Sequence, residues 1–273
     1  MIKQHKKTVI YYILLVFLIL NAIVAVFPFL YMAMISLTQK DILDLNFSNV
    51  TYSLINYTRV IDGFNLLINL KNSTIVTVSS CVLNAIICSM AAYVFAKKEF
   101  PFRDQIFAIY LATLMIPGQV KMIPIFVIIK NLGLMNTYIA LILPIINAFG
   151  VFLIRQFMVG VPDDLLDAAR IDGCGENRIF VSIVLPLVKP VLVSLTIFTF
   201  ITSWNDFLWP LIIASKPAMK TLTLAVAALK GSYSTNYGLV MAGSTFTFLP
   251  PFILYVFLQK QFVEGIALSG TKG

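Results

Sequence analysis

PDDLLDAARIDGCGENRIFVSIVLPLVKP, residues 162–190, is a charged segment with helical periodicity set between two long apolar runs. Pro162 precedes Asp163 and Asp164, either of which suits a helix cap, because a short carboxylate accepts from the free N–H groups of a first turn. Leu165, Ala168 and Ala169 recur at i, i+3 and i+4, which places them on one face. Asp167 and Arg170, three residues apart, can pair on another face. Asp172-Gly173 is expected to end the helix, since glycine adopts the left-handed conformation that closes one. A second short helix follows, with Ile179, Phe180, Ile183, Val184 and Leu187 as its apolar stripe. Pro186 and Pro190 bracket the start of the next apolar run. The segment predicts a helix–turn–helix whose small alanines let another protein's surface come close. An ordinary amphipathic surface helix would carry the same pattern.

Outward from this segment the chain is apolar. Of its 273 residues 59% are hydrophobic and 12% charged, whereas a soluble domain has about a quarter of its residues charged. This places the chain among polytopic all-α membrane proteins. The net charge of +8 does not point to nucleic acid, because the basic residues sit at span ends rather than in one patch. Cys81 and Cys88 lie inside an apolar run and read as packing residues. With Cys174 and the single His5 they make no metal cluster.

Six spans are expected, at residues 9–37, 73–96, about 104–129, 138–157, about 188–213 and 238–258. The first exceeds the ~20 residues that cross a bilayer, so it must tilt or kink, with Pro28 as the natural place. It is too long for a signal peptide and lacks a convincing cleavage site. Span 3 carries Pro117, Gly118, Gln119, Lys121 and Pro124. It is therefore broken, at a depth where free backbone groups need protein or a water-filled cavity around them. Most Lys and Arg residues, among them Lys97, Lys98, Arg103, Arg155 and Arg178, fall on the side that holds both termini, which makes that side cytoplasmic. The chain then divides into an N-terminal segment with span 1 (1–37), an external loop (38–71) and a core (72–273). The core holds the cytoplasmic loop 159–188, a polar external loop at 214–237 and a cytoplasmic tail at 259–273.

Polar groups at membrane depth are pathway candidates. Asp206 is the sharpest, because an ionisable residue in a span has a function by default. Trp204 and Asn205 could stack on and hydrogen-bond a polar solute. Equally, Asp206 could lie at the outer interface, with Trp204 and Trp209 in an aromatic belt. Gln119 and Lys121 flank the span 3 break. Asn84 and Asn147 read as hydrogen bonds between helices. No G-x-x-x-x-G-K-[ST] stretch is present to cradle ATP phosphates, and no nucleophile–base or metal-ligand constellation appears, so the chain reads as non-catalytic. A secondary transporter would more typically show ten or more spans and echoing halves.

Asp167-Ala168-Ala169, two residues, Asp172-Gly173, and Leu185-Pro186 beyond resemble the "EAA" loop of the membrane subunits of ABC importers. The family usually has Glu first; Asp167 has a shorter arm. Further matches are Met115-Ile116-Pro117 through Val120, Ile123-Pro124, Leu132-Gly133-Leu134, Asn136-Thr137, and Ala140 through Pro144. Ser203 through Phe207 and the ending Glu264-Gly265-Ile266 with Lys272-Gly273 complete them. Over roughly residues 70–273 these resemble carbohydrate importer permeases of the maltose type. The resemblance implies a multi-pass permease of the cell membrane that imports a sugar or oligosaccharide by alternating access. Its implied partners are a second homologous permease, an ATPase dimer and an extracellular solute-binding protein. ATP and Mg would be used by the ATPase, with no cofactor on this chain. Asp167, Ala168, Ala169, Asp172 and Gly173 would meet the ATPase. Lys272 and Gly273 would reach its dimer interface, a frayed terminus being the plain alternative. A permease for another small solute, such as glycerol phosphate, would share the loop.

Overall fold

The computed structural model of the chain describes residues 2–38, 51–232 and 236–270. Among them the regular structure is helical, apart from one isolated antiparallel bridge between Thr38 and Tyr52. In chain order the helices are α1 (Ile2–Ser36), α2 (Ile55–Gly63), α3 (Leu66–Lys97), α4 (Arg103–Ala112), α5 (Gly118–Asn131), α6 (Tyr138–Ile142) and α7 (Ala148–Val159). There follow α8 (Asp163–Ile171), α9 (Glu176–Ile179), a π-helical turn (Phe180–Val184), α10 (Leu185–Leu187) and α11 (Lys189–Trp204). The last are α12 (Leu208–Ile213), α13 (Leu222–Ser232) and α14 (Tyr237–Gly270).

Among the described residues three helices are long and apolar enough to cross a membrane: Ile10–Ser36, Leu66–Lys97 and Tyr237–Gln259. Three more crossings result if each bent pair counts as one. Arg103–Met115 and Gly118–Asn131 meet at 102°, Tyr138–Ile145 and Ala148–Val159 at 45°, and Glu176–Leu187 and Lys189–Trp204 at 78°. At the first bend Ile116 is extended (φ −84°, ψ 116°), as proline at the next position favours; Pro144 and Pro190 lie beside the other two bends. The expected fifth span at 188–213 differs from what is found. Helix α11 stops at Trp204 and α12 is a separate helix from Leu208, with Asn205 to Phe207 between them. The expected polar loop at 214–237 is also corrected. It contains α13, whose Leu222, Leu224, Val226 and Leu229 are buried; Leu222, Val226 and Leu229 share one face and Leu224 lies opposite them, between the Lys, Ser and Thr residues that suggest a loop. The helix of the last span runs beyond 258 to Gly270.

The chain forms two compact units. In the first, Met1–Leu66 with Val226–Leu249, the buried Asn56 donates to the Ser36 and Thr38 carbonyls at 3.0 and 2.6 Å. It thereby satisfies the Ser36 carbonyl that α1 leaves free at its end and that of Thr38 just beyond it. Phe29 stacks on Phe248 with ring centres 4.5 Å apart. In the second, Leu67–Ala225 with Pro250–Gly273, the described residues include two cores. One packs Cys88, Ala92 and Tyr93 of α3 with Ile154 of α7, Leu166 of α8 and Ile179 of α9. The other packs Val76, Ile129, Leu141, Trp209 and Ile213. Along α3 and α11 a buried polar ladder joins Thr77 to Ser203 at 3.3 Å and Asn84 to Thr199 at 2.9 Å. The interhelical reading of Asn84 therefore stands. Asn147 instead caps α7, accepting from the Gly150 N–H at 3.3 Å.

Candidate functional sites

The loop at 162–190 is built around one turn. Helix α8 ends at Asp172, and Gly173 sits at φ +80°. That conformation lets the Cys174 N–H reach the Ala169 carbonyl at 2.9 Å and the Gly173 N–H reach that of Arg170 at 3.0 Å, a Schellman closure. The expected cap by Asp163 or Asp164 is not formed: Pro162 occupies the cap position, and no side chain bonds the first turn. Both aspartates still lie where the helix dipole favours negative charge.

The expected common face of Leu165, Ala168 and Ala169 divides in two. Leu166 and Ala169 are buried in the core with Ile179 and Val184, while Leu165, Ala168 and Ile171 are exposed, Ile171 to 87%. The division follows from the 100° step of the helix, which turns Ala169 inward when Ala168 points out. In the second helix Ile179 and Val184 are buried and Leu187 is exposed. The π-helical turn before Pro186 moves Leu187 off the stripe.

Asp167 pairs with Arg170 at 2.5 Å, as its spacing suggests. Arg170 also donates Nε–H to Glu176 at 3.0 Å. Glu176 further accepts from the Tyr93 hydroxyl at 2.8 Å and pairs with Lys98 at 2.5 Å. Lys97, its side chain only 3% exposed, binds Asp163 at 2.7 Å and the Val161 carbonyl. Glu176, Tyr93, Lys97 and Lys98 were not legible as a group in the sequence. The two lysines read as topology markers, and only the acid straight after Gly175 hinted at a helix start.

Lys98, with the Tyr93 hydroxyl and Arg170, holds the Glu176 carboxyl at about 2, against an ordinary 4.5. For a depressed carboxyl the stabilisation is present above the unfolded value and lost as pH falls through the folded one. Between pH 7 and pH 5 the network is therefore expected to hold. Hydrogen exchange of residues 163–180, corrected for intrinsic rate, should show equal protection at the two pH values; loosening at pH 5 would contradict this.

Asp206 lies in the break between α11 and α12, and its Oδ1 accepts from the Trp209 N–H at 3.3 Å. Asn205 is exposed, and its amide returns to the Ile201 carbonyl at 2.9 Å. Trp204 is 3% exposed and stacks on Phe200. Trp209 is buried and donates its indole N–H to the Ala140 carbonyl at 2.8 Å. Each indole is thus packed inside its own chain rather than lying in an aromatic belt at the surface. Asp206→Asn is expected to keep wild-type thermal stability, because an amide oxygen caps as well as a carboxylate, whereas Asp206→Ala loses about 1 kcal/mol. Thermal unfolding checks this: an Asn variant as destabilised as the Ala variant would contradict it. Gln119 is exposed and Lys121 half-buried in the first turn of α5, beside the 102° bend. Lys272 and Gly273 lie outside the described residues. Among the described residues no three His, Cys, Asp or Glu side chains gather as a metal site.

Residues 84–267 match the family described as "Binding-protein-dependent transport system inner membrane component". The arabinooligosaccharides transport system permease protein AraQ of Halalkalibacterium halodurans is 36% identical, covering 99% of this chain and 100% of its own. The lactose transport system permease protein LacG of Rhizobium radiobacter is 33% identical over 90% and 91%. The sn-glycerol-3-phosphate transport system permease protein UgpE of Yersinia pestis is 38% identical over 73% and 72%. A solved bacterial ABC transporter involved in alginate import has a chain with the same fold, with a TM-score of 0.81 and 23% identity over 93% and 97%.

Proposed function

This chain belongs to the family of binding-protein-dependent transport system inner membrane components, and on that premise we propose that it is a permease subunit of an ATP-driven importer of sugars or oligosaccharides. It is a multi-pass protein of the cell membrane. With a second homologous permease it forms the pathway, which opens to each side in turn. ATP and Mg belong to a separate ATPase dimer, and an extracellular binding protein delivers the solute. The carbohydrate assignment rests on the oligosaccharide and lactose permeases it resembles over nearly their whole length. The similarity to a glycerol-3-phosphate permease keeps a small phosphorylated polyol as the second reading.

The coupling assignment rests on the exposed edge of α8. Leu165, Ala168 and Ile171 present apolar surface to the outside, on a helix whose other side is locked into the core. Apolar groups this exposed on a rigid, charged loop suit a partner's groove. Asp167 contributes charge at its rim, Asp172 and Gly173 the turn. The test is purification of the chain in detergent from its native membrane. The expected result is an ATPase that comes down with the wild type and is lost when Ile171 and Ala168 are changed to Glu. A chain that moves solute alone in vesicles, without an ATPase, would make it a secondary transporter. Competition of labelled arabino-oligosaccharide uptake by sn-glycerol-3-phosphate separates the two solutes.

A further inference from the structure

We infer that the last turn of α3 is the arm through which the 163–187 loop moves the membrane-spanning helices, with Lys97 and Glu176 as its positioning residues. The inference rests on the coupling reading above and adds the route. The loop's covalent continuation into the next helix is bent by 78° at Val188. Its other connection passes through the Gly160–Pro162 turn before α8 begins. Such bends are where hinge motion is absorbed rather than passed on. Helix α3, by contrast, is continuous for 32 residues and has no Gly or Pro within it, so it moves as a rod.

The rod's end grips the loop at two points. Lys97 holds Asp163, the first residue of α8, and the Val161 carbonyl just before it. Lys98 and Tyr93 hold Glu176, the first residue of α9. Arg170 links Glu176 back to Asp167, closing the loop on itself. Below these contacts the Tyr93 and Phe180 rings meet at 5.1 Å. With the first turn of each short helix pinned, the loop cannot rotate without carrying α3. An isolated surface ion pair would be weak for this purpose. Here the Lys97 ammonium is buried and Glu176 has three donors, so the contacts act as one network. Further along α3, the polar ladder to Thr199 and Ser203 carries the movement to the break at Asn205.

The test uses the complete transporter, purified with its ATPase, carrying Asn205→Cys and Cys174→Ser; Cys81 and Cys88 are buried. The rate at which an impermeant maleimide labels position 205 is measured with and without the ATP analogue AMP-PNP. In the otherwise wild-type chain the nucleotide is expected to change this rate. In Glu176→Gln, Lys97→Met and Lys98→Gln that change should shrink by about twofold to thirtyfold, the range seen when a coupling network is cut. ATPase co-purification should stay as in the wild type, and Lys98→Arg should retain the response. Lys98 is half-exposed, so its variants guard against simple misfolding. A wild-type-sized response in all three variants would overturn the inference, as would loss of the ATPase from Lys98→Gln. A wild-type chain indifferent to the nucleotide, or without an ATPase, would instead overturn the permease reading beneath it.

Discussion

Gly173→Val is expected to abolish solute uptake and ATPase co-purification while the chain still reaches the membrane. Gly173 stands at φ +80°, and no atom lies within 4 Å of where a Cβ would be. The effect is therefore conformational rather than a clash. A left-handed backbone costs an ordinary residue about 1–2 kcal/mol, and a β-branched residue is a true outlier there. The cheapest response is to abandon the Schellman closure, which frees the Ala169 and Arg170 carbonyls and unwinds the end of α8 beneath Ile171. Asparagine tolerates this conformation far better. The expected order of retained uptake is Gly173→Asn, then Gly173→Ala, then Gly173→Val. Equal activity across the three would show that the turn does not position the loop.

Gly150→Val is expected to lower the amount of folded protein sharply. A Cβ at this position would stand 2.7 Å from the Cys88 Sγ and 3.2 Å from both Leu195 methyls. Gly150 is thus a point where α7 packs tightly against α3 and α11. The sulfur is not free to swing aside, because it donates to Asn84 Oδ1 at 3.0 Å, and Asn84 is held by Thr199. Overpacking of this kind costs about 1–3 kcal/mol, and the extra methyls of valine worsen it. Adding Cys88→Ala removes the nearest atom. The pair Gly150→Ala with Cys88→Ala should therefore recover part of the membrane abundance lost by Gly150→Ala alone. Losses that merely add would mean the two sites are not in contact.

Much of the 162–190 loop was legible because its signals are local. The stop at Gly173, the Asp167–Arg170 pair and the short second helix follow from backbone preference and from spacing within a few residues. The division of Ala168 from Ala169 was not legible, because which side of α8 is covered depends on Ile179 and Val184 folding back from the next helix. Glu176 escaped notice for a similar reason: its partners Tyr93 and Lys98 are about eighty residues away, and no periodicity within either segment links them. The placing of the two indoles was not legible either. Trp204 and Trp209 occur close together in a span, as belt or ligand-stacking residues do, and only the packing of α11 and α12 turned both inward.

By itself, then, the sequence determined that this is an all-helical membrane chain, where its apolar runs lie, that its prolines break the helices, and that its central loop is a helix–turn–helix. These are matters of composition, hydrophobic run length and the conformational limits of Gly and Pro, all of which act over a turn or two. The tertiary structure alone decided which faces of α8 are buried, which charges gather on Glu176, and that α3 is the helix the loop is fastened to. Each of those depends on residues far apart in the chain meeting in space, with burial and charge pairing setting the register.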